Sequence, residues 1–209
     1  MITLHHLNNS RSQRVLWLLE ELELNYEIKH YTRDLKTSRA PIELKTIHPL
    51  GKSPVITDGD KTIAETGTIV EFLLRNYGEG RLVPEVGSSA FDDYQHFMHF
   101  AEGSAMLPLL LALYTGFLGD AAQPIQPMIM DEIKAILDYA EYHLIKHEYF
   151  AGDELSGADI MMIFPLEAAN ARGRLKGYDA CQDYVAKIHK REAYQRALDK
   201  GGDYAYAPK

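Results

Sequence analysis

Small polar residues crowd the junction between a predicted strand and a predicted helix, where residues 8–14 read NNSRSQR. Hydroxyl and amide side chains at such a junction cap the first N–H groups of the helix that follows. Capping alone explains both Ser10 and Ser12. Whether Ser10 also takes part in chemistry depends on residues elsewhere in the chain.

A second polar group, Glu65-Thr66-Gly67-Thr68, stands at the predicted start of another helix. N-capping by Thr66, worth about 1 kcal/mol, is the structural explanation. The group also suits the capture of an α-amino-acid end. The Glu65 carboxylate would bind the ammonium, and the Thr66 hydroxyl and N–H would bind the carboxylate at the positive end of the helix.

The stretch Gly51-Lys52-Ser53-Pro54 lies between a predicted helix and a predicted strand. A proline is tolerated at the start of a strand, which is its structural explanation. A cis bond before Pro54 would turn the backbone N–H and C=O of Ser53 outward, where they could pair with an extended peptide.

Other motifs indicate structure rather than chemistry. Ser156 and Asp159 have the spacing of a capping box, which stabilises a helix start. His143 and His147 are four residues apart, a spacing that can hold a metal ion. Leu144 replaces the glutamate of the metalloprotease pattern, so we interpret both histidines as a solvated helix face and predict no metal site.

The elements that must position these residues form two units. Residues 1–78 predict the order β-α-β-α-β-β-α, with an Asp58-Gly59-Asp60 hairpin turn. Residues 79–89 have linker composition, and residues 90–209 predict an all-α unit. The predicted strands are 2–7, 26–31, 55–57 and 61–64, and the predicted helices are 12–23, 42–46, 65–77, 90–117, 125–147, 158–171, 178–190 and 193–198.

The totals suit a soluble globular protein of 209 residues with a sizeable core. The net charge is -8 without a basic run, which argues against nucleic acid as a partner. The apolar stretch Ala105–Leu118 is too short to span a bilayer, and the single cysteine, Cys181, fits a reducing compartment. We therefore predict a cytoplasmic protein with no membrane partner.

The motifs together resemble the glutathione transferase family, in a serine-type, bacterial or fungal-like form. The resemblance covers nearly the whole chain, and eleven residues separate Pro54 from Glu65. The family fold is a thioredoxin-like N-terminal domain followed by an all-helical C-terminal domain, in agreement with the two units. The motifs stand in the family's order: Ser10 with Arg14-Val15, HPLGKSPVI, AETGTI, AGDELSGADI and REAYQRAL.

The resemblance implies a site for glutathione as co-substrate. Pro54 would be cis, and the Ser53 backbone would pair with the cysteinyl part. Glu65 and Thr66 would hold the γ-glutamyl end, while Lys52 and Arg39 would face the glycyl carboxylate, as cations should. Two departures from the family pattern are Ser53, where an aliphatic residue is usual, and Glu192, where a proline is usual.

The resemblance also assigns the sulfur contact. In the family a Ser, Tyr or Cys after the first strand contacts the glutathione sulfur, and Ser10 matches that position. Its hydroxyl would donate to the thiolate and lower the thiol pKa, which for a free cysteine-type thiol is about 8.5. Asn9 and Ser12 are the rival donors.

The implied activity is conjugation of the glutathione thiolate to small hydrophobic electrophiles by a homodimeric enzyme. Met106, Tyr114 and Phe164 are candidates for the hydrophobic substrate pocket, and the Tyr204-Ala205-Tyr206 tail could close over it. Two alternatives stay open: a glutathione-dependent peroxidase or disulfide reductase, and a non-catalytic binding module on the same fold.

Overall fold

The computed structural model describes residues 1–34 and 36–208, so Lys209, the last residue of the predicted second unit, lies outside it. The chain forms two compact units. The first combines Met1–Leu82 with the residues from Ile188 onward, and the second is Val83–Lys187. The strands are β1 (Ile2–Leu7), β2 (Tyr26–Tyr31), β3 (Val55–Asp58) and β4 (Lys61–Ala64). The helices are α1 (Ser12–Glu21), α2 (Leu44–Ile47), α3 (Thr66–Tyr77), α4 (Ser89–Phe100), α5 (Met106–Gly116), α6 (Gln126–Leu144), α7 (Gly157–Asn170), α8 (Asp179–His189) and α9 (Glu192–Gly201).

The first unit is built on a four-stranded sheet in the order β2-β1-β3-β4. β1 pairs with β2 in parallel, and the other two pairs are antiparallel. Gly59 has a φ of +56° and forms the turn between β3 and β4, a backbone angle that glycine adopts without steric cost. The predicted order β-α-β-α-β-β-α and the fold class are confirmed.

Helix α9 packs against α1 in this unit, through an apolar contact and a set of ion pairs. The rings of Trp17 and Tyr194 meet edge to face at 5.5 Å. The Glu21 carboxylate accepts from Arg191 Nε at 2.6 Å, and the buried Glu20 carboxylate accepts from Arg196 Nε at 2.9 Å. These pairs join residues about 170 positions apart in sequence, which explains why the chain from Ile188 onward belongs to the first unit.

The second unit is helical, and its longest predicted helix is interrupted. The expected single helix over residues 90–117 is α4, then a π-helical turn over Ala101–Ala105, then α5. A π-helical turn adds one residue per turn, and the apolar pattern of the sequence is continuous across it, so the pattern does not reveal it. A 3₁₀ turn over Gly119–Ala122 was not predicted.

The capping box at the start of α7 is confirmed. Asp159 Oδ2 accepts from the Ser156 N–H at 2.8 Å, and Ser156 Oγ accepts from the Ala158 N–H at 3.2 Å. The interpretation of His143 as part of a solvated face is wrong. Its side chain is buried and its ring stacks on Phe150, with centroids 5.7 Å apart.

Together, α4, the π-helical turn and α5 form one helical stretch of 28 residues, Ser89–Gly116, in this unit. By length and composition it is the one stretch among the described residues that could cross a membrane. Core helices of water-soluble proteins have the same length and composition, so this feature alone is weak evidence for a membrane span.

Candidate functional site

Ser10 lies in the loop that joins β1 to α1. Its side chain is 5% exposed, and its Oγ accepts a hydrogen bond from the Ser12 N–H at 3.2 Å. Ser10 Oγ also lies 2.8 Å from Ser12 Oγ. The Ser10 hydroxyl therefore stands at the strand-to-helix junction where the sequence places it, and it is fixed there by Ser12.

Ser12 does not cap α1, which corrects one expectation from the sequence. Arg11 occupies the N-cap position and provides no side-chain capping bond. Ser12 is the first helical residue, and its hydroxyl turns back to the strand, where Oγ accepts from the Leu7 N–H at 3.2 Å and lies 3.0 Å from His6 Nδ1. Because Ser12 lies inside the first turn, its hydroxyl contacts the end of β1 and does not reach the first N–H groups of the helix.

Ser53 and Pro54 lie beside the end of β1 that leads to Ser10. The Ser53–Pro54 peptide bond is cis, as the resemblance implies. Val55 at the start of β3 pairs with His5 in the antiparallel register, and Ser53 Oγ donates to the His5 carbonyl at 2.8 Å. Because the strands are antiparallel, the residues before β3 are neighbours of the residues after β1.

Glu65 and Thr66 reach the same edge of the sheet through β4. Ala64, the last residue of β4, pairs with Val55. Glu65 follows in the N-cap position of α3, with φ at +69° and an exposed side chain, and Thr66 is buried. A non-glycine residue at positive φ costs about 1–3 kcal/mol and is frequent at ligand sites.

The expected N-cap by Thr66 is not present. Thr66 is already the first helical residue, and α3 has no side-chain capping bond at its N-cap position, Glu65. The first N–H groups of a helix have no partner within the helix and carry its partial positive charge. Because no side chain caps them, the first N–H groups of α3 suit an anionic ligand.

The loop before Ser10 is held from two sides by residues that sequence reasoning missed. Arg33 donates from Nε to the Asn8 carbonyl at 3.2 Å and from Nη2 to the Asn9 carbonyl at 3.0 Å. On the other side, Asn9 Oδ1 accepts from the Ala205 N–H at 2.6 Å. These contacts join parts of the chain that are distant in sequence, so no local pattern could have indicated them.

The two predicted cations lie on exposed loops of the same unit. Arg39 follows β2, and its carbonyl accepts from the Asp34 N–H at 2.9 Å. Lys52 is exposed and directly precedes Ser53. Both side chains are therefore accessible to a carboxylate in solution.

The three residues expected to line a hydrophobic pocket belong to the second unit and differ in exposure. Met106 and Phe164 are buried, whereas Tyr114 is 60% exposed. The structure of this unit therefore does not gather the three side chains at one surface. A surface groove of about 640 Å³ in this unit is lined by other residues, namely Asp92, Gln95, His96, His99, Phe100, Gly103 and Ser104.

Two family models match the chain. Residues 1–75 match the model "Glutathione S-transferase, N-terminal domain", and residues 101–187 match "Glutathione S-transferase, C-terminal domain". Glutathione S-transferase 3 of Schizosaccharomyces pombe is 36% identical, over 97% of this chain and 89% of the relative. The chain belongs to the glutathione S-transferase family. The fungal-like resemblance inferred from the motifs agrees with this relative.

Solved structures of glutathione S-transferases have the same fold. A glutathione S-transferase from Actinobacillus pleuropneumoniae is 34% identical, with a TM-score of 0.87 over 100% of both chains. A sphingomonad glutathione S-transferase complexed with glutathione is 22% identical, with a TM-score of 0.78 over 96% of this chain and 98% of that one. The second likeness shows the fold alone.

Proposed function

We propose that this glutathione S-transferase family member conjugates the glutathione thiolate to small hydrophobic electrophiles. One observation carries the proposal: three chain segments bring Ser10, Ser53-Pro54 and Glu65-Thr66 to one edge of the sheet. A hydroxyl donor, a backbone N–H and C=O pair and an amino-acid clamp are the groups that a γ-glutamyl-cysteinyl tripeptide needs. Membership of the glutathione S-transferase family supports glutathione as the co-substrate.

Each part of glutathione has a partner in the proposed complex. Glu65 binds the γ-glutamyl ammonium, and Thr66 with the N-terminal N–H groups of α3 binds the α-carboxylate. The Ser53 backbone pairs with the cysteinyl residue. Lys52 and Arg39 face the glycyl carboxylate.

Ser10 is the proposed donor to the sulfur, ahead of Asn9. Ser10 ranks first because it matches the family position. Asn9 Oδ1 accepts from the Ala205 N–H and the Asn9 carbonyl accepts from Arg33, which fixes the loop, while the side-chain NH₂ group keeps Asn9 as the rival donor. In the reaction the thiol proton passes to water and the thiolate attacks carbon. A sulfur–carbon bond forms as a leaving group departs, or as the electrons of a conjugated double bond shift.

The alternative redox activities gain no support from the protein's own cysteine. Cys181 is fully buried, and burial, with the Glu141 carboxylate beside it, raises the pKa of its thiol. Such a thiol does not suit disulfide exchange. Any peroxidase or disulfide reductase activity would have to proceed through bound glutathione alone.

The wider setting is proposed from the family. Residues 1–78 are proposed to provide the glutathione site and the helical unit after the 79–89 linker the hydrophobic pocket. The expected extent of that unit, 90–209, is shortened because the chain from Ile188 onward belongs to the first unit, and of the three expected pocket residues only Tyr114 is exposed to a ligand. The protein is proposed to act in the cytoplasm as a homodimer, without nucleic acid, membrane or metal.

The assay that tests the function compares three substrate classes with glutathione: a chloronitrobenzene-type electrophile, an organic hydroperoxide and a small disulfide. Turnover of the first class above the others supports conjugation. Turnover of the hydroperoxide or disulfide alone would replace conjugation by the alternative activity. Inactivity on all three, with no heat of glutathione binding in calorimetry, would leave the non-catalytic module.

Replacing Glu65 with glutamine is expected to raise the KM for glutathione about tenfold and to change kcat less than about twofold. Loss of one charge-assisted hydrogen bond to the ammonium costs about 1.5 kcal/mol, and that bond is the same in the ground state and the transition state. Steady-state kinetics with glutathione as the varied substrate measures both constants.

Glu79→Gln is the matched control. Glu79 is an exposed glutamate of the same unit, and its φ of +52° resembles that of Glu65. It should keep the wild-type KM. Equal KM values for the two variants would refute the role of Glu65 in holding the γ-glutamyl end.

A further inference from the structure

The guanidinium of Arg33 joins two loops that carry proposed glutathione ligands. Its Nη2 donates to the Asn9 carbonyl at 3.0 Å, and its Nη1 donates to the Ser38 carbonyl at 3.0 Å. Asn9 directly precedes Ser10, and Ser38 directly precedes Arg39. One side chain therefore holds the residue before the proposed sulfur donor and also the residue before a proposed cation for the glycyl carboxylate.

The bonds from Arg33 fix the backbone of the loop before Ser10. Nε donates to the Asn8 carbonyl at 3.2 Å, and the Arg33 N–H donates to Asn8 Oδ1 at 3.0 Å. Asn9 has a φ of +50°, in the left-handed region that side chains rarely adopt. The peptide group between Asn9 and Ser10 is planar, so a bond that holds the Asn9 carbonyl also sets the orientation of the Ser10 backbone.

The turn that carries Arg39, residues 34 and 36–39, is closed by Asp34. The Asp34 carboxylate accepts from the Thr37 N–H at 2.7 Å, and the Asp34 carbonyl accepts from the Ser38 N–H at 2.8 Å. The Asp34 N–H donates to the Arg39 carbonyl at 2.9 Å. Because both ends of the turn are joined, a bond that holds the Ser38 carbonyl also restrains Arg39.

A guanidinium suits this connection better than any other cation. It is planar and directs its N–H groups in a fixed fork, so the carbonyls bound to it are held at a set distance and angle from one another. A lysine ammonium is a compact charge on a flexible stem, and it cannot hold separate carbonyls in one plane. The contribution of Arg33 to the two loops is therefore geometric, and lysine separates it from the contribution of charge.

We propose that Arg33 is a positioning residue that fixes the sulfur donor Ser10 and the glycyl-carboxylate cation Arg39 relative to each other. This inference rests on the proposed function. A glycyl carboxylate anchored at Arg39 then also restrains the Ser10 loop. Binding energy from a remote part of the ligand thereby supports the hydroxyl that stabilises the thiolate, and the two ends of glutathione are coupled through Arg33.

Arg33→Lys tests the geometric role. Lysine keeps the charge but loses the connection between the loops, so the Ser10 hydroxyl is no longer held at the sulfur. We expect the pKa of the bound glutathione thiol to rise by about one unit, read from the ultraviolet absorbance of the thiolate across pH. A wild-type thiol pKa in this variant overturns the inference, because the charge alone would then suffice.

Arg81→Lys is the matched control for this exchange. Arg81 belongs to the same unit, and its guanidinium also bonds to two backbone carbonyls, those of Gly78 and Leu22. These carbonyls do not belong to either of the two loops. The control should therefore keep the wild-type thiol pKa, and a rise equal to that of Arg33→Lys would overturn the specific role of Arg33.

A double-mutant cycle measures the coupling itself. In the wild-type background, Arg39→Gln should raise both the KM for glutathione and the pKa of the bound thiol. In the Arg33→Lys background it should raise the KM alone, because the connection to the Ser10 loop is already broken. A merely structural role for Arg33 would leave the two changes in thiol pKa additive, and additivity overturns the inference.

A measurement on the unaltered protein does not depend on any variant folding. A glutathione analogue with a glycinamide end has a neutral amide in place of the glycyl carboxylate. Removing that negative charge would by itself favour the thiolate, whereas loss of the anchor should disfavour it. Relative to each free ligand, we expect binding to lower the thiol pKa of the analogue by about half a unit less than that of glutathione. An equal or larger lowering for the analogue overturns the inference.

The outcomes also separate this inference from the proposed function. Absence of glutathione binding, or a bound thiol with the pKa of free glutathione, refutes the proposed function and this inference with it. A lowered thiol pKa that Arg33→Lys leaves unchanged refutes the inference alone.

Discussion

Ser10→Ala is expected to lower kcat/KM for conjugation about 100-fold and to change the KM for glutathione less than about threefold. Removing one preorganised donor from a developing or resident anion costs about 10²–10³ in rate at comparable sites. The hydroxyl contributes little to holding the tripeptide, because Glu65, Thr66 and the Ser53 backbone do that. Steady-state kinetics with a chloronitrobenzene-type electrophile provides both constants.

The same substitution is also expected to shift the pH dependence of the conjugation rate. A donor to the thiolate lowers the thiol pKa, so its loss returns that pKa toward the free value of about 8.5. The wild-type rate should therefore reach its plateau at a lower pH than the Ser10→Ala rate. The deficit of the variant should be largest below both pKa values and should narrow as the pH rises through them.

Ser10→Thr is the matched control, since it keeps a hydroxyl on the same β-carbon and should keep most of the rate. A full rate with an unshifted pH profile in Ser10→Ala would show that Ser10 is not the donor. Asn9→Ala would then be the next variant to compare, because Asn9 is the neighbouring amide in the same loop.

The fold of the first unit was predictable because local patterns determine it. Alternating residues indicate β2, an Asp-Gly turn joins β3 to β4, and apolar spacing indicates α1 and α3. The place of α9 was not predictable. Its attachment to α1 depends on Glu20 and Glu21 meeting Arg191 and Arg196, and no local signal connects charges so far apart in sequence.

In the helical unit, sequence periodicity predicted the helices but not the irregular turn between two of them. Apolar periodicity predicted its helices to within a few residues, yet it gave a single helix where α4 and α5 are separated by a π-helical turn. One inserted residue rotates the following helix by about 100°, and the run of apolar residues in α5 fits either orientation. Packing, rather than local preference, selects the interrupted form.

The residues of the candidate site that belong to sequence motifs were predictable, whereas those that act through contacts between distant parts of the chain were not. Ser10, Pro54 and Glu65 stand in motifs that resemble a family, and the sheet register brings their segments to one edge. Arg33 stands in no motif. It contributes through hydrogen bonds to two carbonyls of the Asn8-Asn9 turn, so its role exists only once the chain is folded.

Asp159→Ala is expected to lower the free energy of unfolding by about 4 kcal/mol. The fully buried carboxylate accepts from the N–H groups of Phe150 and Ser156 at 3.0 and 2.8 Å and from the Tyr184 hydroxyl at 2.9 Å. Alanine leaves these buried donors without their acceptor, and each unsatisfied group costs about 1–3 kcal/mol. Chemical denaturation of the second unit's helices, followed by circular dichroism, measures the change.

Two further variants make this last prediction specific to the carboxylate. Asp153→Ala removes an exposed aspartate from the preceding loop and should change stability by less than about 0.5 kcal/mol. Asp159→Asn keeps the shape but places an NH₂ group among N–H and O–H donors, so it should be destabilised nearly as much as alanine. If asparagine restored wild-type stability, shape rather than hydrogen-bond acceptance would be the contribution of Asp159. A loss below about 1 kcal/mol for alanine would show that the hydrogen bonds to Asp159 contribute little to the free energy of unfolding.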